Sequence, residues 1–171
     1  MKTNAIKIVA AILVMYFVTG GVRAQGSSHD IPAAVAGAFK SQYPKAHLRK
    51  WDKTKTEFQA TFKMDGKKYS AYYAPDGTWL RTALRIPWSW KLPSPVLSGF
   101  KQTKYRDWDI DALDEVNTPT DHYYTIEVDN DNLQIDLFHA GLFTEYWLLT
   151  FKNDGQLSSS VNVTPQFAKG G

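Results

Sequence analysis

The sequence of 171 residues contains no cysteine. This absence excludes a disulfide scaffold, thiolate zinc sites and cysteine nucleophiles. Glycine (11) and proline (8) are too few for a collagen-like or low-complexity chain. The uncharged apolar run at residues 8–18 is shorter than the roughly 20 residues that a membrane-spanning helix needs. What remains is an ordinary globular protein in which 14% of the residues are aromatic.

The first 24 residues have the pattern of a secretory signal peptide. Lys2 and Lys7 form a basic region, residues 8–18 form the apolar core, and residues 22–24 (Val-Arg-Ala) suit signal peptidase. We therefore predict cleavage after Ala24, a periplasmic or secreted protein, and no membrane span after cleavage. The alternative, a membrane anchor, is disfavoured because the apolar core is short.

Charge is divided unequally along the predicted mature chain. Residues 25–91 hold 12 basic and 5 acidic side chains, a net +7, whereas residues 92–171 hold 5 basic and 12 acidic ones, a net −7. The mature chain is therefore formally neutral, which does not favour nucleic acid as a partner. The unequal division predicts one of three arrangements: two differing solvated surfaces, attraction between the halves, or steering of a charged partner.

No motif for catalysis, metal binding or a cofactor is found. The four histidines lack metal-ligand spacing, and there is no nucleophile elbow, phosphate-binding loop or dinucleotide fingerprint. Residues 129–132 (Asp-Asn-Asp-Asn) begin like a calcium loop, but Gln134 and Ala140 replace the glycine and the acidic residue it requires. The alternating Asp107, Asp109 and Asp111 fit an exposed strand face. We expect no enzyme activity, no metal and no cofactor.

A helix-start motif occurs twice, at a constant offset of 61 residues. Residues 31–40 read Ile-Pro-x-x-Val-x-x-x-Phe-Lys, and residues 92–101 read Leu-Pro-x-x-Val-x-x-x-Phe-Lys. Because proline suits the first turn of a helix and the apolar residues have helical spacing, each copy predicts a short amphipathic helix. Strand-like alternation follows each helix. The pattern predicts an α+β fold of two tandem units, each a helix packed on an antiparallel β-meander.

Two Asp-Gly turns set the strand register of the first unit. Hairpins counted outward from Asp65-Gly66 and Asp76-Gly77 agree on which side chains share the face toward the helix. That set is Phe58, Phe62, Tyr69, Tyr73, Leu80 and Leu84. In particular, the count places Tyr73 opposite Leu80. With residues 46–52, this gives a four-stranded meander.

The second unit is longer after Phe138. Alternation predicts its strands at residues 106–116, 123–129, 133–137, 145–151 and 157–163, so its sheet has either an additional strand or a long bent one. The units are predicted to span residues 25–86 and 92–171, and residues 87–91 (Pro-Trp-Ser-Trp-Lys) connect them. Because this connector has two tryptophans, we expect it to pack against the protein.

The exported prefix, the doubled motif and the strand start at residues 76–80 (Asp-Gly-Thr-Trp-Leu) resemble those of PepSY-like, β-lactamase-inhibitor-like exported proteins of Bacteroides-type bacteria. The resemblance covers nearly all of the predicted mature chain. It implies two tandem units whose sheets join into one curved surface with helices behind, and no catalytic residues. The β-lactamase inhibitor itself has disulfides and an inhibitory loop, whereas this chain has no cysteine and no segment that matches that loop.

The predicted binding surface is the face of the sheet opposite the helices. The register places Tyr72 across from Arg81, a favourable stacking pair. A two-layer fold cannot bury both faces of its sheet, so aromatic and arginine side chains there indicate binding. The candidate binding residues are Tyr72, Trp79, Arg81, Arg85, Tyr123 and Trp147. The alternative for Trp79 and Trp147 is packing against the connector or the neighbouring unit.

Three functions are compatible with these features. The favoured one is a non-catalytic exported binding module that holds a protein or peptide partner in the cell envelope, either as an inhibitor or as a simple binder. The second is a structural or self-associating envelope component, monomeric or weakly associated through its oppositely charged halves. The third, a small-ligand sensor or an enzyme, requires a deep pocket, which an open sheet does not favour.

Overall fold

The computed structural model describes residues 30–130 and 144–164, in which two helices lie on one eight-stranded antiparallel sheet. The helices are α1 (Ala33–Gln42) and α2 (Ser94–Lys101). The strands are β1 (His47–Lys53), β2 (Phe58–Met64), β3 (Lys67–Tyr73), β4 (Trp79–Arg85), β5 (Asp109–Asn117), β6 (His122–Asn130), β7 (Glu145–Lys152) and β8 (Leu157–Asn162). They lie in the sheet in sequence order. The predicted α+β fold of two tandem units is confirmed. The predicted signal peptide and the predicted strand at residues 133–137 lie outside the described residues.

Both helices begin where the repeated motif predicts. Pro32 and Pro93 occupy the N-cap positions, and the Pro93 carbonyl accepts a hydrogen bond of 3.0 Å from the Leu97 amide. Each helix buries two residues, α1 through Val35 and Phe39 and α2 through their counterparts 61 residues later, Val96 and Phe100. No helix in the described parts of the chain is long and apolar enough to cross a membrane.

The two helices pack on the same face of the sheet. Antiparallel partners share a face, and one row of partners crosses from the first unit to the second. That row is Phe62, Tyr69, Leu84, Glu115 and Tyr124. Phe62 belongs to the core under α1 and Tyr124 belongs to the core under α2. The opposite face of the sheet therefore carries neither helix.

The register of the first unit follows the two turns, with one exception. The pairs Phe62–Tyr69 and Phe58–Tyr73 form as predicted, and so does Tyr69–Leu84. A β-bulge in β4, where Leu80 is the extra residue, shifts the register between Tyr72 and Tyr73 and places Trp79, not Leu80, opposite Tyr73. The prediction that Leu80 faces the helix is therefore wrong. A bulge adds one residue to a strand, so every side chain between the bulge and the turn changes face.

In its described residues, the second unit repeats the arrangement of one helix followed by four strands. Its first strand, β5, begins at Asp109, later than the predicted residue 106, because residues 102–108 form turns after α2. Tyr124, Ile126 and Val128 share one face, as predicted, and lie in the core under α2. Strand β6 pairs directly with β7.

The connector does not pack as expected. Trp88 is 61% exposed and Trp90 is 70% exposed. Ile86 and Leu92 on either side of the connector are buried in the core under α2. Strands β4 and β5 also pair directly, so the sheet is continuous between the units. These flanking contacts anchor the connector, and the burial of its indole rings is not needed to hold the units together.

Candidate functional site

A cluster of four buried residues lies on the helix-free face of the sheet, across strands β3 to β6. Its members, which we call the open-face cluster, are Tyr72, Ala83, Val116 and Tyr123. Leu80 packs against the cluster, since the bulge turns this side chain away from α1. The cluster contains residues from both units and lies at their junction.

Arg81 covers the open-face cluster and is held from two sides. Its guanidinium carbon lies 3.7 Å from the centroid of the Tyr72 ring, a cation–π contact. The same guanidinium donates two hydrogen bonds, of 2.8 and 2.9 Å, to the two carboxylate oxygens of Glu57. Bidentate pairing of this kind fixes the plane of the guanidinium. Arg81 is therefore a preorganised part of this surface.

Tyr123 lies close enough to Arg81 for the two to interact electrostatically. Burial raises the pKa of the Tyr123 hydroxyl, while the positive charge of Arg81 partly opposes that rise. The phenol is therefore neutral at physiological pH. Because Tyr123 is only 7% exposed, it supports the surface beside Arg81 and presents little area of its own.

Charged residues of both signs border the open-face cluster. Arg85 forms an ion pair of 3.0 Å with Asp114, its partner in the adjacent strand. Burial raises the pKa of the Asp114 carboxyl, against the lowering effects of Arg85 and Lys68. Burial raises the pKa of the Glu127 carboxyl, and the negative charge of Asp111 raises it further. The junction of the units is therefore also a boundary between basic and acidic side chains.

A groove of about 240 Å³ lies beside the cluster on the first unit. Lys50, Lys68 and Arg85 give it three positive charges, and Asp114 gives it one negative charge. Neutral hydrogen-bonding groups also line it, namely those of Gln59, Thr61 and Ser70. A groove of this size and composition can accept a carboxylate side chain of a partner protein, because a lysine or arginine donates charge-assisted hydrogen bonds to carboxylates.

The six predicted binding residues do not all lie on this face. Tyr72, Arg81, Arg85 and Tyr123 do, as the strand pairs show. Trp79 lies on the helix side, where it packs against the core under α1, so the expected placement of Trp79 is wrong. Its indole Nε1 donates a hydrogen bond of 2.9 Å to Thr82 Oγ1, which also hydrogen-bonds the hydroxyl of Tyr43.

Trp147 was also predicted for the helix-free face, and this placement is wrong too. It pairs with Val128, a residue of the core under α2, and therefore faces α2. Its ring lies 5.3 Å from that of Tyr105, centroid to centroid, and 5.2 Å from the Nζ atom of Lys104. Leu149 and Phe151 point the same way and are fully buried.

Sequence reasoning missed Glu57 and the groove. Glu57 could have been found, because it lies two residues before Gln59, which faces Tyr72 across the β2–β3 pair. Alternation therefore places Glu57 near the Tyr72–Arg81 pair. Lys50 could not have been placed, since a bulge in β1 between Leu48 and Lys50 shifts its register against β2. Among the described residues, no group of three or more acidic or histidine side chains is arranged to hold a metal ion.

The geometry of the described residues defines a class: a helix-plus-meander unit used twice, with fused sheets and both helices on one face. The sequence model of the family described as "Putative beta-lactamase-inhibitor-like, PepSY-like" matches residues 23–68 and residues 56–145. Together the two matches span well over half of the chain. The protein belongs to this family.

Solved structures from Bacteroides share the fold. A DUF2874 family protein from Bacteroides ovatus has 24% sequence identity and a TM-score of 0.67, with 80% of this chain and 91% of that chain covered. A putative periplasmic protein from Bacteroides eggerthii has 22% identity and a TM-score of 0.65, with 78% and 89% covered. A BLIP-like protein from Bacteroides fragilis has 21% identity and a TM-score of 0.64, with 81% and 92% covered. No protein of curated function matches the sequence.

Proposed function

We propose that this protein is a non-catalytic exported binding module that holds a protein or peptide partner on the helix-free face of its sheet. One observation carries the proposal: this face bears a preorganised cluster of tyrosine and arginine side chains where the two units meet. Tyrosine and arginine are enriched among the residues that dominate protein–protein binding energies. The BLIP-like description of the Bacteroides fragilis structure supports a protein as the partner.

The partner presents an acidic side chain to the groove of the first unit. Lys50 and Lys68 are exposed and border the groove together with Arg85. The Arg85 charge is paired with the largely buried Asp114. Lys50 also forms an ion pair, of 2.7 Å with Asp52, but at an exposed position where such pairs are weak and can exchange for a partner carboxylate. Lys50 and Lys68 therefore supply the attraction for the partner. Leu80 and Arg81, which are partly exposed over the buried Tyr72 and Tyr123, then give contact beside the carboxylate. The residues of the proposed site are Lys50, Lys68, Arg81 and Arg85, with Tyr72 and Tyr123 supporting Arg81.

The proposed location is the periplasm. The N-terminal 24 residues have the signal-peptide pattern. The similar Bacteroides eggerthii structure is described as a putative periplasmic protein, which agrees with export. A partner is therefore to be sought in the cell envelope.

The test is capture of a partner from an envelope extract of the source organism, with matched charge variants as baits. The open-face variant is Lys50→Ala with Lys68→Ala, and the control is Lys40→Ala with Lys101→Ala, which removes two exposed charges from the helices. We expect one saturable partner to be captured by the parent and the control, and lost from the open-face variant. Melting curves of all three proteins show that the baits are folded.

A photo-crosslinker then locates the contact. Because the chain has no cysteine, Ser70→Cys provides a single thiol in the groove and Lys40→Cys provides one on α1. Crosslinks to the captured partner from position 70 and none from position 40 are expected. Equal capture by both charge variants, or crosslinks from position 40 alone, would contradict the proposal. If the partner is an enzyme, its activity with and without the protein separates inhibition from simple binding.

One observation favours a second function, self-association through the helix-free face. Lys50, Lys63 and Lys68 lie on this face of the first unit, whereas Asp114 and Glu127 lie on that of the second. Two copies packed face to face would match these opposite charges. Such an association weakens with salt, because screening shortens the range of the attraction to about 3 Å at 1 M. A native mass that falls toward the monomer between low salt and about 0.5 M salt would identify it.

A further inference from the structure

Strand β8 is an edge strand without a charge or a proline to protect it against pairing, and its one register shift against β7 lies at Ser158, before residues 159–162. It is the last strand of the sheet, and its sequence, Leu-Ser-Ser-Ser-Val-Asn, has no charge and no proline. All six residues are exposed, and nothing in the described chain pairs with its outer side. Natural proteins commonly block such edges with charges, prolines or bulges.

The opposite edge of the sheet has that protection. Strand β1 has the sequence His-Leu-Arg-Lys-Trp-Asp-Lys, so most of its positions are charged or basic, and it has a bulge between Leu48 and Lys50. Each edge strand has one bulge, so it is the charge of β1 that makes it the poorer template for another strand. The two edges of this sheet therefore differ in their capacity to pair.

The backbone groups on the outer side of β8 can be identified. The Val163 amide donates a hydrogen bond of 2.8 Å to the Tyr146 carbonyl, so residue 163 points toward β7. In an antiparallel ladder the direction of the backbone groups alternates from residue to residue. Val161 therefore also points toward β7, and Ser160 and Asn162 direct their N–H and C=O groups outward.

We propose that β8 pairs antiparallel with β8 of a second copy of this chain, centred on Val161. In this register Ser160 lies opposite the partner's Asn162, and the symmetric pair forms likewise. The outward N–H and C=O groups of Ser160 and Asn162 are thereby satisfied on each strand. Val161 lies opposite the partner's Val161 at a non-hydrogen-bonded position, where side chains approach closely. The two eight-stranded sheets become one sheet.

The second copy is the occupant that the observations favour. An uncharged strand can face its own copy without repulsion between like charges. Val161, at the centre of the proposed pairing, is 43% exposed in the single chain, and Val161 of the second copy covers it in the dimer. Pairing of β8 with β8 is two-fold symmetric and closes after two copies, because only the protected β1 edges remain. Pairing of β8 with β1 would instead propagate into a filament.

This dimer does not depend on the proposed partner-binding function, because it uses the edge of the sheet rather than its face. It also differs from face-to-face association in its response to salt. Strand β8 carries no charge, so raising the salt concentration leaves the dimer intact, whereas association through the charged face weakens. In the β8 dimer both helix-free faces lie on the same side, with their binding surfaces open.

The first test uses disulfide trapping in protein purified from the envelope of an expressing host. Val161→Cys adds a single thiol to a chain without cysteine, and a non-hydrogen-bonded pair of antiparallel strands suits the Cα separation of a disulfide. The matched control is Leu48→Cys on β1, where the parent side chain has the same exposure of 43%. We expect rapid formation of a covalent dimer by Val161→Cys and not by Leu48→Cys.

The second test measures mass by sedimentation as a function of protein and salt concentration. Val161→Lys places two like charges opposite each other and should weaken the dimer by roughly tenfold or more, whereas Leu48→Lys should leave it unchanged. Ser160→Pro removes one outward N–H from each strand and should weaken it too. A parent protein that is monomeric throughout, with equal crosslinking from positions 161 and 48, would overturn the proposal. So would a dimer that dissociates in salt.

Discussion

The Arg81 guanidinium stacks on the Tyr72 ring across the β3–β4 strand pair, with 3.7 Å between the guanidinium carbon and the ring centroid. Its hydrogen bonds to both Glu57 oxygens prevent it from rotating off the ring. A large aromatic ring is thus buried on the face of the sheet away from α1 and α2. The planar, weakly hydrated guanidinium suits this position better than an ammonium group would.

Arg81→Ala should destabilise the protein, because it leaves the partly buried Glu57 carboxylate without its bidentate partner and exposes Tyr72. We expect a loss of about 1–3 kcal/mol in the free energy of unfolding, measured by urea denaturation. The control is Arg106→Ala, since Arg106 pairs with Asp107 at an exposed position. Exposed pairs contribute little. A loss for Arg81→Ala no larger than the control's would contradict this account of the site.

Trp79→Ala should lower stability rather than act on binding alone, because Trp79 packs under α1 and donates a hydrogen bond to Thr82. Removal of a partly buried tryptophan is expected to cost about 2–4 kcal/mol. The exposed Trp88 is the matched control, and Trp88→Ala should change stability by less than about 0.5 kcal/mol. Thermal melting curves of both variants test the prediction. Equal melting temperatures would show that Trp79 is not a core residue.

Alanine substitutions at three glycines distinguish the cost of backbone strain from the cost of steric overlap. Gly66 has a φ of 75° and open space around it, so Gly66→Ala should cost about 1 kcal/mol from strain alone. In α2, a Cβ on Gly99 would meet the Gly155 carbonyl oxygen at 2.0 Å. In the β7–β8 turn, a Cβ on Gly155 would meet the Pro95 carbonyl oxygen at 2.1 Å, at a φ of 86°.

The expected order of destabilisation is therefore Gly66→Ala, then Gly99→Ala, then Gly155→Ala, where strain and overlap combine. The last two should each exceed about 2 kcal/mol, because the overlap forces α2 and the turn apart. Urea denaturation measures all three variants. A Gly155→Ala variant as stable as Gly66→Ala would show that the turn and α2 separate without loss.

Glu127 should make stability depend on pH. The pKa of this carboxyl is raised in the folded protein above the ordinary value of 4.5, first by burial and next by Asp111. Between the unfolded and the folded pKa the folded state binds more protons than the unfolded chain, so the free energy of unfolding falls as the pH rises above about 4.5. Glu127→Gln removes this contribution.

The variant should therefore lose less stability than the parent between pH 4.5 and neutral pH, and should be the more stable of the two at neutral pH. Melting temperatures across that interval check the prediction. The substitution should reduce the dependence of stability on pH but not abolish it, because burial also raises the pKa of Asp114. Parallel curves for parent and variant would show that Glu127 titrates alike in the folded and unfolded states.

The candidate site was predictable where a tight turn links the strands. Asp65 and Gly66 adopt positive φ at the β2–β3 turn, and the count from that turn matches the observed register throughout. The same logic placed Arg81 opposite Tyr72. The count from the Asp76-Gly77 turn placed Trp79 on the wrong face only because a bulge lies beside that turn. Trp147 was misplaced because β6 ends at Asn130 and β7 begins only at Glu145, so the sequence offered no Asp-Gly turn from which to count a register.

By itself, the sequence determined the two helix starts, the α+β tandem plan and most strand pairs of the first unit, because proline, Asp-Gly turns and apolar periodicity act over a few neighbouring residues. Only the tertiary structure decided which face carries Trp79 and Trp147, how Glu57 holds Arg81, and which uncharged strand lies at an edge of the sheet. Those outcomes depend on bulges and on the pairing of strands that are distant in sequence. A shift of one residue there reverses the face of a side chain without any change in the local pattern.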